Sequence, residues 1–153
     1  MKKLTAGLIL LLLPALACGY IPRAYWTITD SEARKHGIPP EMLGALIWVE
    51  SRYCPHARGD AGEIGLGQIM PDTARLLGYT PTRLWDPALN IRAAARYLSM
   101  QYRRFGSWPL ALAAYNAGPG KAYNPPASTR QYVINVLAVY RYLKSLRNAR
   151  VRR

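Results

Sequence analysis

The chain is poor in acid, and its second half has none. All eight acidic residues, Asp30, Glu32, Glu41, Glu50, Asp60, Glu63, Asp72 and Asp86, precede residue 87. Twelve of the 21 Lys and Arg residues follow it, so residues 87–153 carry nearly all of the formal charge of +13. Any chemistry that needs a carboxylate must draw on those eight. With only two Cys among 153 residues, a disulfide-dense scaffold is excluded. Cys54, His56 and His36 do not fall at the spacing of a ligand set, so no metal is expected. There is no Gly-Lys-Ser/Thr to cradle a phosphate, and no cofactor is expected. The longest apolar run, Leu4 to Leu16, is shorter than the ~20 residues that cross a bilayer. Repeats and low-complexity stretches are absent.

What is present argues for a packed core. Half of the residues are hydrophobic, with eleven Tyr and four Trp, which is too apolar for a disordered basic tail. The length suits one domain of ~100–150 residues. Met1-Lys2-Lys3, the apolar run and the small-x-small pattern of Ala15-Leu16-Ala17 read as an export signal over residues 1–17. Export points to the periplasm or cell envelope. Cys18 would then head the mature chain, and two fates stay open for it. It can carry a lipid anchor, although Ala15 and Leu16 fit that signal imperfectly, or it can pair with Cys54 in an oxidising compartment.

The mature chain reads as helices punctuated by Pro and Gly, so the expected fold is mainly α. Residues 18–24 form an N-terminal segment, 25–148 the domain and 149–153 a loose basic tail. Asp30-Ser31 cap a short helix ending at Gly37. A second helix runs from Glu41 to about Arg52 after Pro39-Pro40. Residues 54–67 form a glycine-rich loop, with room for a short β-hairpin. Asp72 caps a helix reaching Gly78. Asp86-Pro87 open one that ends at Gly106. Ser107 and Pro109 open another, ending near Asn116. The last runs from Thr129 to about Asn148, with Tyr132, Val133, Val136, Leu137, Tyr140, Leu143 and Leu146 at helical spacing. Arg141, Lys144 and Arg147 fall on its polar side and read as a solvated face.

Among the eight acids Glu50 stands out. It lies three residues after Ile47, four after Leu46 and seven after Leu43, on the apolar side of its helix. A carboxyl held against apolar groups resists ionisation, and its raised pKa suits a general acid at neutral pH. Ser51 adjoins it and either orients it by a hydrogen bond or is a helix-end residue exposed to water. Gly59, Gly62, Gly65 and Gly67 then lead to Gln68, where backbone can approach a ligand or another segment closely. Tyr115, in Ala114-Tyr115-Asn116-Ala117-Gly118, is either a core aromatic or a hydroxyl that reaches the buried Glu.

Four motifs in order carry a family resemblance: Glu50-Ser51; Gly65-Leu66-Gly67-Gln68-Ile69-Met70-Pro71; Ala114-Tyr115-Asn116-Ala117-Gly118; and Tyr132-Val133. Together they resemble the lytic transglycosylase SLT domain, over about residues 25–148. The resemblance implies a single lysozyme-like helical domain. It implies cleavage of the β-1,4 bond between N-acetylmuramic acid and N-acetylglucosamine in peptidoglycan. It implies Glu50 as the single acid/base, with Ser51, Gln68, Tyr115, Asn116 and Tyr132 on the substrate side. Two positions depart from the pattern. Gly67 stands where Met is common, which is expected to loosen or reshape one wall of the groove. Ser128 stands where a Glu is usual, which removes one muropeptide-contacting carboxylate.

Rival readings remain. Asp60 or Glu63 could supply a second carboxylate and make the protein a hydrolysing lysozyme. A non-catalytic cationic wall-binding module is a third reading. A nucleic-acid partner is disfavoured by the export signal and the absence of a recognition motif. The basic half instead suggests attraction to an anionic envelope surface. The setting, whether wall turnover, a secretion or conjugation machine, or a phage, is not written in the residues.

Overall fold

A computed structural model describes residues 18–151. The expected export signal, residues 1–17, and the last two residues lie outside the described residues. Among the described residues six α-helices carry the fold: α1 (Arg23–Lys35), α2 (Pro40–Ser51), α3 (Pro71–Leu76), α4 (Pro87–Phe105), α5 (Trp108–Ala117) and α6 (Ala127–Val151). Short 3₁₀ turns, Pro81–Trp85 and Pro119–Lys121, join α3 to α4 and α5 to α6. The mainly α expectation holds. The expected hairpin is reduced to two isolated antiparallel bridges, Arg58 with Ile64 and Ile64 with Ile69.

The centre of the fold is α2. From Pro40 to Ile47 every residue is buried, so this helix is apolar all round and needs neighbours on each side. It packs against α1, α4 and α6, while α5 packs against α4 and α6. Met42, Leu43, Leu46, Ile47, Leu66, Ile91, Leu98, Leu112 and Val136 form the fully buried heart of the core. Each such Leu or Ile contributes about 1.5–3 kcal/mol by leaving water. The helices α2 and α6 run antiparallel, because Glu50 meets Tyr132 while Glu41 meets Arg147.

Several boundaries differ from expectation, each for a local reason. α1 begins at Arg23, well before Asp30. Asp30 accepts two bonds from the Arg34 guanidinium, at 2.8 and 3.0 Å, and so is a mid-helix ion pair rather than a cap. α3 starts after Met70, with Asp72 inside its first turn and bonded to Arg75. Asp86 does cap α4, accepting from the Leu89 amide at 2.7 Å, with Pro87 next. At its far end α6 continues to Val151, so residues 149–151 are helical rather than a loose tail. Arg147 is not merely a solvated charge, since it donates to the buried Glu41 at 2.8 Å.

Cys18 and Cys54 are joined by a disulfide. The Gly19 amide also donates to the Arg52 carbonyl at 3.0 Å. The segment before α1 is thus tied to the chain just beyond α2.

Candidate active site

Glu50 lies in the last turn of α2, where the chain leaves the core. Arg52 and Tyr53 follow with φ of 52° and 59°, a left-handed turn that non-glycine residues adopt only when held. Tyr53 is held: its ring is buried, and its hydroxyl shares a 3.3 Å hydrogen bond with Thr29 of α1. The disulfide at Cys54 fixes the next step. The helix end that presents Glu50 is therefore clamped on both sides.

Glu50 is only partly covered as a residue, yet its carboxyl is enclosed. Burial pushes its pKa up from 4.5 to about 7. The Tyr132 hydroxyl, donating to Glu50 Oε1 at 2.6 Å, works against that rise. The negative charge of Glu63 adds to it. Tyr132 itself is held well above its ordinary pKa by burial and then by the nearby Glu50, so it stays a neutral donor. A carboxyl poised near neutrality beside such a donor can both give and take a proton at physiological pH.

The loop facing Glu50 is fixed through its backbone. The Ser51 hydroxyl donates to the Leu66 carbonyl at 2.7 Å; it does not bond Glu50. The Tyr115 hydroxyl donates to the Gly67 carbonyl at 2.8 Å. Tyr132, not Tyr115, is thus the tyrosine that reaches the glutamate. Gln68, at φ 48°, turns its amide back to donate to the Gly65 and Ala57 carbonyls, at 2.8 and 3.2 Å. Asn116 does not join this group directly. Its Oδ1 accepts from Thr129 at 2.7 Å and ties α5 to α6, the helix that carries Tyr132. Ser128 is exposed in the first turn of α6.

One residue at the centre of this web was not foreseen. Asn90 in α4 is fully buried. Its Nδ2 donates to the Ile64 and Leu84 carbonyls at 2.8 and 2.9 Å, and its Oδ1 accepts from the Gly67 amide at 2.8 Å. Four buried residues of α4, Ala94, Tyr97, Leu98 and Gln101, lie four, seven, eight and eleven positions beyond it. An uncharged polar residue in phase with a buried stripe was the available signal. The two loop glycines follow from this closeness. A Cβ at Gly65 would sit 2.5 Å from Asn90 Nδ2, and one at Gly67 would sit 2.7 Å from the Ala94 methyl. Gly67 therefore marks a close approach of the loop to α4 rather than a loosened wall.

A central buried helix that presents one enclosed glutamate, faced by a loop whose backbone is bonded from three helices, defines a lysozyme-like helical domain. Residues 27–137 match the model of the family described as "Transglycosylase SLT domain", and the chain belongs to that family. It is 30% identical to the membrane-bound lytic murein transglycosylase D of Escherichia coli, over 86% of this chain and 33% of that protein. It is 34% identical to the X polypeptide of Escherichia coli, over 80% of this chain and 77% of that one. Among solved structures, it superposes with a TM-score of 0.74 and 32% identity on an inactive glutamate-to-glutamine mutant of lytic transglycosylase Slt from Pseudomonas aeruginosa. That match covers 84% of this chain and 25% of the solved one. The chain thus spans about a third of the first of these relatives and a quarter of the solved structure.

Proposed function

We propose that this protein is a peptidoglycan lytic transglycosylase in which Glu50 is the only acid/base. The observation that carries the reading is the enclosed Glu50 carboxyl, with a pKa near 7 and a neutral tyrosine as its hydrogen-bond partner. The relatives' names, lytic murein transglycosylases, support the substrate class.

In this mechanism Glu50 protonates the glycosidic oxygen between N-acetylmuramic acid and N-acetylglucosamine. The substrate's own N-acetyl group steadies the positive anomeric centre. Glu50, now ionised and held by the Tyr132 hydroxyl, takes the proton from the muramic acid 6-hydroxyl as that oxygen attacks the anomeric carbon. A 1,6-anhydro sugar results and no water is consumed. Most glycosidases need two carboxylates; here the second role falls to the substrate, which suits an acid-poor chain. Gln68 and Asn116 serve the sugar side, and Tyr115 and Ser51 hold the loop on which Gln68 sits.

Glu63 keeps a hydrolytic reading in view, because its charge acts on the Glu50 carboxyl. Asp60, exposed on the same loop, has no such link. Digestion of purified sacculi followed by mass spectrometry separates the two readings. The proposal expects anhydro ends from the wild type and none from Glu50→Gln. Products heavier by one water would establish hydrolysis instead, and cleavage by Glu50→Gln would sink the assignment of Glu50.

We place the protein in the cell envelope after removal of residues 1–17, with peptidoglycan strands as its partner. The disulfide favours the non-lipidated form, since a lipid thioether would need the Cys18 sulfur that Cys54 occupies.

A further inference from the structure

A cavity of about 500 Å³ opens between the start of α1 and the end of α6, at the opposite end of the α2–α6 pair from Glu50. Glu41, on its wall, lies nine positions before Glu50 in α2, roughly 13 Å along the helix axis. Ile21 and Trp26 line one side and Leu143 and Leu146 the other. Four arginines share this lining: Arg23, Arg34, Arg147 and Arg150. The two acids there, Asp30 and Glu41, are already bonded to Arg34 and Arg147. Arg23 and Arg150 make no ion pair among the described residues.

The helix that forms one wall is itself unusual. More than half of α6 lies beyond Val136, its last buried residue. Leu137, Tyr140 and Leu143 still pack partly against the core there, while Leu146, on the cavity wall, is 44% exposed. An uncovered leucine at the mouth of a cavity leaves apolar area that a partner can cover.

We infer that this wedge is a docking site for an acidic segment of a partner protein that carries large aliphatic or aromatic side chains. Charge complementarity selects the partner, because the mouth is arginine-rich and the chain bears +13. The same charge disfavours a second copy of this chain. A flat lipid surface would reach Arg150 but would not fill a concave wedge. Peptidoglycan stem peptides bring carboxylates but only small methyl groups, which offer Trp26 and Leu146 less apolar contact than a leucine or an aromatic ring does. A helical segment with leucines on one face and Glu or Asp on the other would lay the leucines between Trp26 and Leu146. Its carboxylates would fall against Arg23 and Arg150. This inference does not depend on the role of Glu50.

The test titrates the mature chain with a short synthetic helix-forming peptide of leucine and glutamate. Three further probes accompany it: the same peptide with lysine for glutamate, one with serine for leucine, and phosphatidylglycerol vesicles. Saturable binding of the leucine–glutamate peptide alone is expected. It should weaken about tenfold in Arg23→Glu/Arg150→Glu, as expected for reversing two charges of modest individual worth, and comparably in Leu146→Glu. Leu146→Ala provides a milder variant should Leu146→Glu disturb α6. Sacculus cleavage should be unchanged in all three, since none touches the Glu50 site. Equal binding of the lysine or serine peptide overturns the inference, as does binding that persists undiminished in the variants. Vesicle binding lost in the variants, with no peptide binding, overturns it in favour of a membrane surface.

Discussion

The two ends of the α2–α6 pair each hold one glutamate, and each is met by one residue of α6. At one end Glu41, 5% exposed, faces the Arg147 guanidinium. At the other Glu50, less covered as a residue, faces the Tyr132 hydroxyl. Depth does not separate them; the partner does. A guanidinium meets a carboxylate with an opposite charge and makes it a fixed ion pair. A phenol offers one hydrogen bond and no charge, so burial prevails and the Glu50 carboxyl holds its proton up to about pH 7. The fold thus uses one glutamate as an ion-pair partner and holds a proton on the other, with the same helix as partner.

The largest effect should come from removing the member bonded to Tyr132. Glu50→Gln keeps the shape and a hydrogen-bond acceptor for Tyr132 but cannot donate a catalytic proton. Cleavage of sacculi should fall at least a hundredfold, the lower range of ~10²–10⁴ for general acid–base catalysis. The equivalent change at the other end, Glu41→Gln, should leave cleavage near wild type.

The same variant should be more stable than the wild type at high pH. The folded Glu50 has a pKa of about 7 against 4.5 for the free group. Between those values the unfolded chain has released the proton while the folded chain retains it. Wild-type stability therefore declines as pH rises from about 4.5 to 7, and the loss is complete above 7. Urea unfolding at pH 4 should barely distinguish wild type from Glu50→Gln. At pH 8 the variant should gain on the order of 2–3 kcal/mol. Equal stability at both pH values would mean that burial does not hold the proton.

Next in size is Tyr132→Phe. The hydroxyl steadies the ionised carboxylate and so restrains the pKa of Glu50. Its loss should move the descending limb of the pH–rate profile above pH 7. It should also lower the maximal rate about tenfold, the worth of one hydrogen bond to a charged group. A slower enzyme with an unmoved limb would make Tyr132 a packing residue only.

How much of this was legible depended on how local the signal was. The offsets of Glu50 from Ile47, Leu46 and Leu43 put it beside buried neighbours, a signal written in nearby residues, although α2 is buried all round up to Ile47 and has no solvated side for helical phase to exclude. Asp86-Pro87 marked the start of α4 for the same reason. The partners were not legible in the same way. Ser51 bonds a carbonyl fifteen residues on, and Tyr115 one that lies 48 residues back. Backbone acceptors leave no residue-type signature. The early start of α1 was hidden because Asp30 was read as a cap when its carboxylate belongs to Arg34. Arg147 on the polar side of α6 read as solvated because its partner lies 106 residues earlier.

The smallest effect tests the structural end of the pair. Arg147→Met keeps the aliphatic reach of the side chain and removes the charge. Glu41 is then buried without its cation, and the folded state loses part of the interaction that offset its desolvation. Arg147 is 51% exposed, so water partly screens the pair and the cost should be only about 1 kcal/mol. Adding Glu41→Gln to Arg147→Met should recover most of that, because a neutral amide loses little by burial next to Met. A double-mutant cycle from urea unfolding at neutral pH measures the coupling directly. If Arg147→Met alone slowed sacculus cleavage as strongly as Tyr132→Phe, the two ends of α6 would act as one unit. An unchanged rate with a small, recoverable loss of stability would show that α6 serves catalysis at its first turns and architecture at its last.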